Sequence, residues 1–103
     1  MTESEFPRLS PEEAGARMSR LNTDWVLEAG AMAIARTVQC KGFAKAVYLA
    51  NLAAFHADRL GHHPDVSFGF GYCKVCYTTH DAGGLTENDF RCAVAFDSLL
   101  ERG

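Results

Sequence analysis

Gly61-His62-His63-Pro64, followed by a third histidine at position 80 ahead of Asp81-Ala82-Gly83-Gly84, holds the residues best suited to proton chemistry in this chain. Imidazole titrates closer to neutrality than other side chains, so it can give and take protons near pH 7. Pro64 fixes its own φ and presses His63 toward extended backbone, so no helix runs through this point. Neighbouring side chains in extended backbone point to opposite faces, and His62 and His63 are therefore expected to do different jobs. The same divergence makes it awkward for both to ligate one ion. Acid/base and substrate-binding roles are favoured over a metal site, with zinc held by the histidines and Cys73 or Cys76 as a weaker reading.

Other polar residues have milder readings. Asp58, in the helical turn before His62, could orient an imidazole or simply stand solvated. Asp89 suits the first turn of a helix, where a carboxylate meets the positive end of the dipole. Thr86 reads as a cap, His56 as a surface residue in mid-helix and Trp25 as core or rim. Cys73-Lys74-Val75-Cys76 has CxxC spacing, but it falls in a β-rich run where i and i+3 face opposite sides. One cysteine is expected inside and one outside, not a metal knuckle or redox pair.

The elements that must position these groups follow from periodicity and punctuation. Residues 1–9 read as a loose tail and 10–103 as one domain. Ser10-Pro11-Glu12-Glu13 is a helix start with a capping box, and this helix should run to about Leu21. Trp25-Val26-Leu27 reads as a short strand. Met32, Ile34, Val38 and Cys40 share a parity that suggests a second strand, with a helix as the competitor. Phe43 to Leu60 is the strongest helix, capped by Gly61. Ala46, Val47, Ala50, Ala53 and Ala54 are expected on its sheet side, and Tyr48, Leu52 and Phe55 elsewhere, a hint of oligomerisation. Val66 to His80 is β-rich, with Gly69 and Gly71 at a bulge or tight turn. Thr86 to Asp89 opens the last helix. The order predicts an α+β fold, helices on one face of a small antiparallel sheet.

Composition limits the classes. With 103 residues, 48% hydrophobic and 22% charged, the chain is one ordinary globular domain. A net charge of −3 offers no basic field for nucleic acid or anionic membrane. The most apolar window, 46–55, is too short to span a bilayer. Four cysteines without an export signal read as free thiols in a reducing, cytoplasmic compartment.

Asp58-x-x-x-His62-His63-Pro64, the aromatic Phe70, His80 and Gly84-Leu85-Thr86-x-x-Asp89-Phe90 together resemble the pterin-4a-carbinolamine dehydratases. The likeness runs from about Ser10 to Leu100 and takes in Trp25 and Lys41-x-Phe43. It implies a four-stranded antiparallel sheet with three helices on one face, assembled as homodimers or homotetramers. It implies dehydration of a 4a-hydroxytetrahydropterin to quinonoid dihydropterin, in support of an aromatic amino acid hydroxylase. No metal or organic cofactor takes part, the pterin being the substrate. By position, His62 and His80 match the family's catalytic histidines. His63 matches its substrate-binding histidine, and Asp58 and Asp89 its acidic motif positions, expected here to bind substrate. Gly61, Val66 and Asn88 stand where some members carry an acidic residue, tryptophan and arginine. The alternative on the same fold is a non-catalytic dimerisation or assembly module.

Overall fold

A computed structural model describes residues 6–102. Of the expected tail, residues 1–5 lie outside the described residues. Further along it the Leu9 amide donates to Leu85 O (2.8 Å), and the Arg8 guanidinium reaches Gly83 O. The first helix, α1 (Pro11–Arg17), starts with the expected capping box: the Glu13 amide donates to Ser10 Oγ and the Ser10 amide to Glu13 Oε1. A 3-10 turn, Met18–Arg20, extends it to the buried Leu21.

Strands β1 (Trp25–Glu28), β2 (Ala33–Gln39), β3 (Asp65–Gly69) and β4 (Tyr72–Tyr77) form one antiparallel sheet in the order β1-β2-β4-β3. A two-residue turn, Phe70-Gly71, joins β3 to β4, and Gly71 takes a left-handed φ of 90° that glycine adopts without steric cost. Pairing of Ile34 with Tyr77, Arg36 with Val75 and Val66 with Val75 sets one row of side chains on one face. Buried Trp25, Ile34, Cys73, Val75 and Tyr77 on that face join Ala14, Leu49, Ala53, Phe90, Ala93 and Phe96 from all three helices in one core. The helices therefore cover one face of the sheet. The other face carries Val26, Lys74 and Cys76, with a Lys74–Glu28 ion pair at 3.0 Å.

Helix α2 spans Phe43–Leu60, and Gly61 terminates it in the left-handed conformation at φ 70°. Its buried stripe is Ala46, Leu49, Ala53, His56 and Ala57. This corrects the expected face: Ala54 is exposed, and Val47 and Ala50 are only half-buried. In an alanine-rich helix apolar residues lie nearly all round, so the sequence defines the stripe poorly, and the larger Leu49 decides it. His56 is likewise interior, its Nε2 3.3 Å from Cys92 O on the last helix. That last helix, α3 (Glu87–Arg102), carries Asp97 inward. Asp97 accepts from Trp25 Nε1 (2.7 Å), the Asn22 amide (3.0 Å) and Arg36 Nη1 (2.6 Å), binding α3 to the first strand pair.

Candidate active site

Where α2 ends, Gly61 reverses the chain and the backbone amides of Gly61 and His62 both donate to Ala57 O. The turn drops the His62 ring onto the sheet. It stacks on Tyr77 with centroids 5.7 Å apart and planes 13° from parallel. The next residue faces the other way, as extended backbone before proline requires. His63 is exposed, with Nε2 3.1 Å from Asp58 Oδ1, so Asp58 meets His63 and not His62.

His62 is 1% exposed. The residue that the resemblance makes catalytic is thus interior. Its Nε2–H donates to Asp89 Oδ1 at 2.5 Å, and Asp89 is itself 0% exposed. Asp89, expected on the first turn of a helix, is there, but turned inward. Its Oδ2 accepts from the Thr86 amide (2.9 Å) and the Thr79 hydroxyl (2.8 Å). Thr86 Oγ1 in turn accepts from the Asn88 amide (3.2 Å), so Thr86 caps the helix with its hydroxyl while Asp89 holds its amide.

The hydroxyl protons in this cluster have one consistent order. Thr79 has a single proton, given to Asp89 Oδ2, so the Thr79–Thr86 contact of 2.9 Å must run from Thr86 to Thr79. A directed chain results: Asn88 N–H to Thr86, Thr86 to Thr79, Thr79 to the carboxylate. Each donor polarises the next, and all of it is buried, where such bonds are strongest. The sequence singles out neither Thr79 nor the bond between Thr86 and Thr79, whereas the cap expected at Thr86 is present. A usable signal was present, since Thr79 continues the inward parity of Cys73, Val75 and Tyr77.

His80 opens a short 3-10 turn, His80–Ala82, and is exposed. The loop that carries it is closed by the residues at its two ends, the Thr79 amide donating to Gly84 O and the Gly84 amide to Thr79 O, and the Gly83 amide donates to His80 O. The structure therefore presents His63 and His80 to solvent and holds His62 and Asp89 beneath them. Beside them Tyr77 is wholly buried. Burial, reinforced by Cys92 and Asp89 nearby, raises its phenol well above the ordinary value, so it stays protonated.

Other residue types at the site can be placed as well. Cys73 is buried and Cys76 partly so, on opposite faces of β4 as their spacing implies. Burial raises both thiols above their usual range, which keeps them protonated and poor nucleophiles. Among the described residues no three His, Cys, Asp or Glu side chains gather into a cluster able to hold a metal ion. Gly61 occupies a backbone conformation that a side chain would strain. Asn88, buried, accepts from Arg91 Nε and Nη2 through its Oδ1.

Known proteins share this arrangement of sequence and fold. The sequence profile of the family described as pterin 4 alpha carbinolamine dehydratase matches residues 7–99. A Paracoccus denitrificans protein with a provisional pterin-4-alpha-carbinolamine dehydratase name is 44% identical over 89% of this chain and 85% of its own. A Chloroflexus aurantiacus protein with the same provisional name is 39% identical over 92% of this chain and 99% of its own. In three dimensions the chain superposes with a TM-score of 0.79 on a crystal structure titled transcriptional coactivator/pterin dehydratase, from Brucella melitensis. That match has 29% identity and covers 89% of this chain and 97% of the other. Over nearly its whole length, then, the chain belongs to the pterin 4 alpha carbinolamine dehydratase family.

Proposed function

We propose that the protein dehydrates 4a-hydroxytetrahydropterins to quinonoid dihydropterins, with imidazoles as its acid and base. The observation that carries this is the pair of exposed histidines, His63 and His80, raised on a buried His62–Asp89–Thr79 network in a chain of this family. Loss of the 4a-hydroxyl as water requires a proton delivered to the leaving oxygen. A ring nitrogen must also give up a proton as the new C=N bond forms. One imidazolium and one imidazole supply both near neutral pH, and each transfer is worth about 10²–10⁴-fold. In this reading His80 has the proton-transfer role that the resemblance implies, the exposed His63 beside Asp58 is the second group to meet the pterin, and the buried His62 supports them from within. No metal or organic cofactor is needed for this chemistry.

Stopped-flow dehydration of enzymatically generated 4a-hydroxytetrahydropterin, with and without the protein, tests the reading. Acceleration that falls strongly in His80→Ala, with a further loss in His63→Ala, supports it; a rate equal to the uncatalysed one refutes it. If His63→Ala raises only KM, while a folded His62→Gln loses kcat, the acid/base role belongs to the buried imidazole instead.

A second reading, an assembly module, is favoured by two observations. Tyr48 and Phe55 on α2 are 50% and 73% exposed and take no part in the histidine cluster. Edge strands β1 and β3 also present unpaired backbone. Both features suit a homodimer or homotetramer, and light scattering returning a monomer mass at micromolar concentration would exclude it. Dehydratase and assembly roles are compatible, and service to an aromatic amino acid hydroxylase in the cytoplasm would follow from the first.

A further inference from the structure

Resting on the dehydratase reading, we propose that Asp89 and Thr79 form a clamp that sets the spacing of the two exposed imidazoles. Thr79 is then a positioning residue for the reaction. The ladder between β3 and β4 ends at the pair Asp65–Cys76. Beyond it the chain carrying His62 and His63 and the chain carrying Thr79 and His80 continue without strand pairing to each other. Asp89 bridges them. One carboxylate oxygen takes the His62 ring and the other takes the Thr79 hydroxyl, at 2.5 and 2.8 Å.

Each exposed histidine directly follows a residue held by this carboxylate. His63 follows His62, and His80 follows Thr79. Consecutive Cα atoms lie 3.8 Å apart across a trans peptide, so fixing one residue leaves its neighbour little room to travel. Pro64 restricts His63 from its other side, and the Thr79–Gly84 bridge restricts His80. The carboxylate is fixed in its turn by the Thr86 amide at the start of α3. The separation of the two imidazoles is thereby referred to one buried group on a third element. Thr79 is the part of the clamp that can be removed without altering shape, since valine replaces its hydroxyl by a methyl.

The effect of Thr79→Val should reach His63, which is on the other side of the carboxylate. In the ligand-free protein the imidazole Cε1–H signals of both His80 and His63 should shift or broaden in NMR spectra, while circular dichroism stays that of the parent. Dehydration kcat should fall about tenfold, within the range that sub-ångström to ångström misplacement costs, with KM changed much less. Thr79→Ser, which restores the hydroxyl, should return both signals and kcat toward the parent. Movement of His80 alone, or of neither signal, overturns the clamp.

If Thr79→Val fails to fold, Asp89→Asn gives the same readout. Its one amide oxygen must serve the Thr86 amide and the Thr79 hydroxyl, turning its NH2 toward His62. His62 must then accept at Nε2 and carry its proton on Nδ1, a tautomer change visible in imidazole nitrogen shifts. An unchanged tautomer with unmoved His63 and His80 signals overturns the proposal. A parent protein without dehydratase activity whose imidazoles still respond together refutes the positioning of this reaction but leaves the coupling measured, so the two failures are told apart.

Discussion

Removing the His62 ring should be expensive for stability before it is informative about catalysis. His62→Ala deletes the Nε2–H donor to Asp89 Oδ1 and leaves a carboxylate at 0% exposure short of one partner. A hydrogen bond to a charged group contributes about 1.5–3 kcal/mol, and its loss falls wholly on the carboxylate that stays behind. The stacking on Tyr77 adds about 0.5–1.5 kcal/mol. Alanine also leaves a void where the ring was. The total should approach the ~3–5 kcal/mol seen when one member of a buried pair is removed. A domain of this size has only about 5–15 kcal/mol in all. Urea unfolding followed by circular dichroism at pH 7 measures it. Asp89→Ala and the double variant complete a cycle: with both partners gone no charge is stranded, so the double loss should be clearly less than the sum. A His62→Ala protein within about 1 kcal/mol of the parent would refute the reasoning, since that is the size of an ordinary substitution and not of a buried-pair loss.

Asp97→Ala should cost about 3–5 kcal/mol in the same assay, because Arg36, only 12% exposed at its side chain, would lose its close carboxylate. Ala53→Leu should overpack the α2–sheet contact by about 1–3 kcal/mol, whereas Ala54→Leu, on the exposed side, should be nearly silent. Ala29 and Ala31 sit at φ 55° and 68°; glycine at either relieves about 1–2 kcal/mol of left-handed strain against about 0.4–1 kcal/mol of added chain entropy, so thermal midpoints should hold or rise. Burial alone would raise Glu87, but hydrogen bonds from Arg20 and Arg17 outweigh it and hold its carboxyl below the usual value. The stability this gives is present above the unfolded carboxylate value of about 4.3 and is lost as pH falls through the lower folded value. Being 39% exposed, the group should add at most about 1 kcal/mol, read as the difference between parent and Glu87→Gln in acid titrations.

Much of the frame was legible because its signals are local. The Ser10–Glu13 box, Gly61 closing α2 and Gly71 turning β3 into β4 are each dictated by backbone needs within a few residues. The divergence of His62 and His63, and of Cys73 and Cys76, followed from extended geometry alone. What the sequence hid depends on partners far along the chain. His62 reads as a loop histidine until Asp89 meets it inside, and Asp97 reads as a flaw in an apolar stripe until Trp25 and Arg36 meet it. A buried polar residue is recognisable only through the partner that satisfies it, and here each partner lies on another element.

The strand order β1-β2-β4-β3 also bears on how the chain reaches this structure. β1 with β2, and β3 with β4, are hairpins closed by short turns, and their ladders need little loop closure. The middle join is different: Gln39 pairs with Tyr72 across the whole of α2 and β3. That contact carries most of the closure entropy of the sheet, and it becomes favourable only as α2, which joins the hairpins in sequence, packs on the face of β3 and β4. The β2–β4 seam is therefore the expected rate-limiting step of folding. Substitutions in the buried stripe of α2 should slow folding, while those in the Phe70-Gly71 turn should act on a unit that can form beforehand.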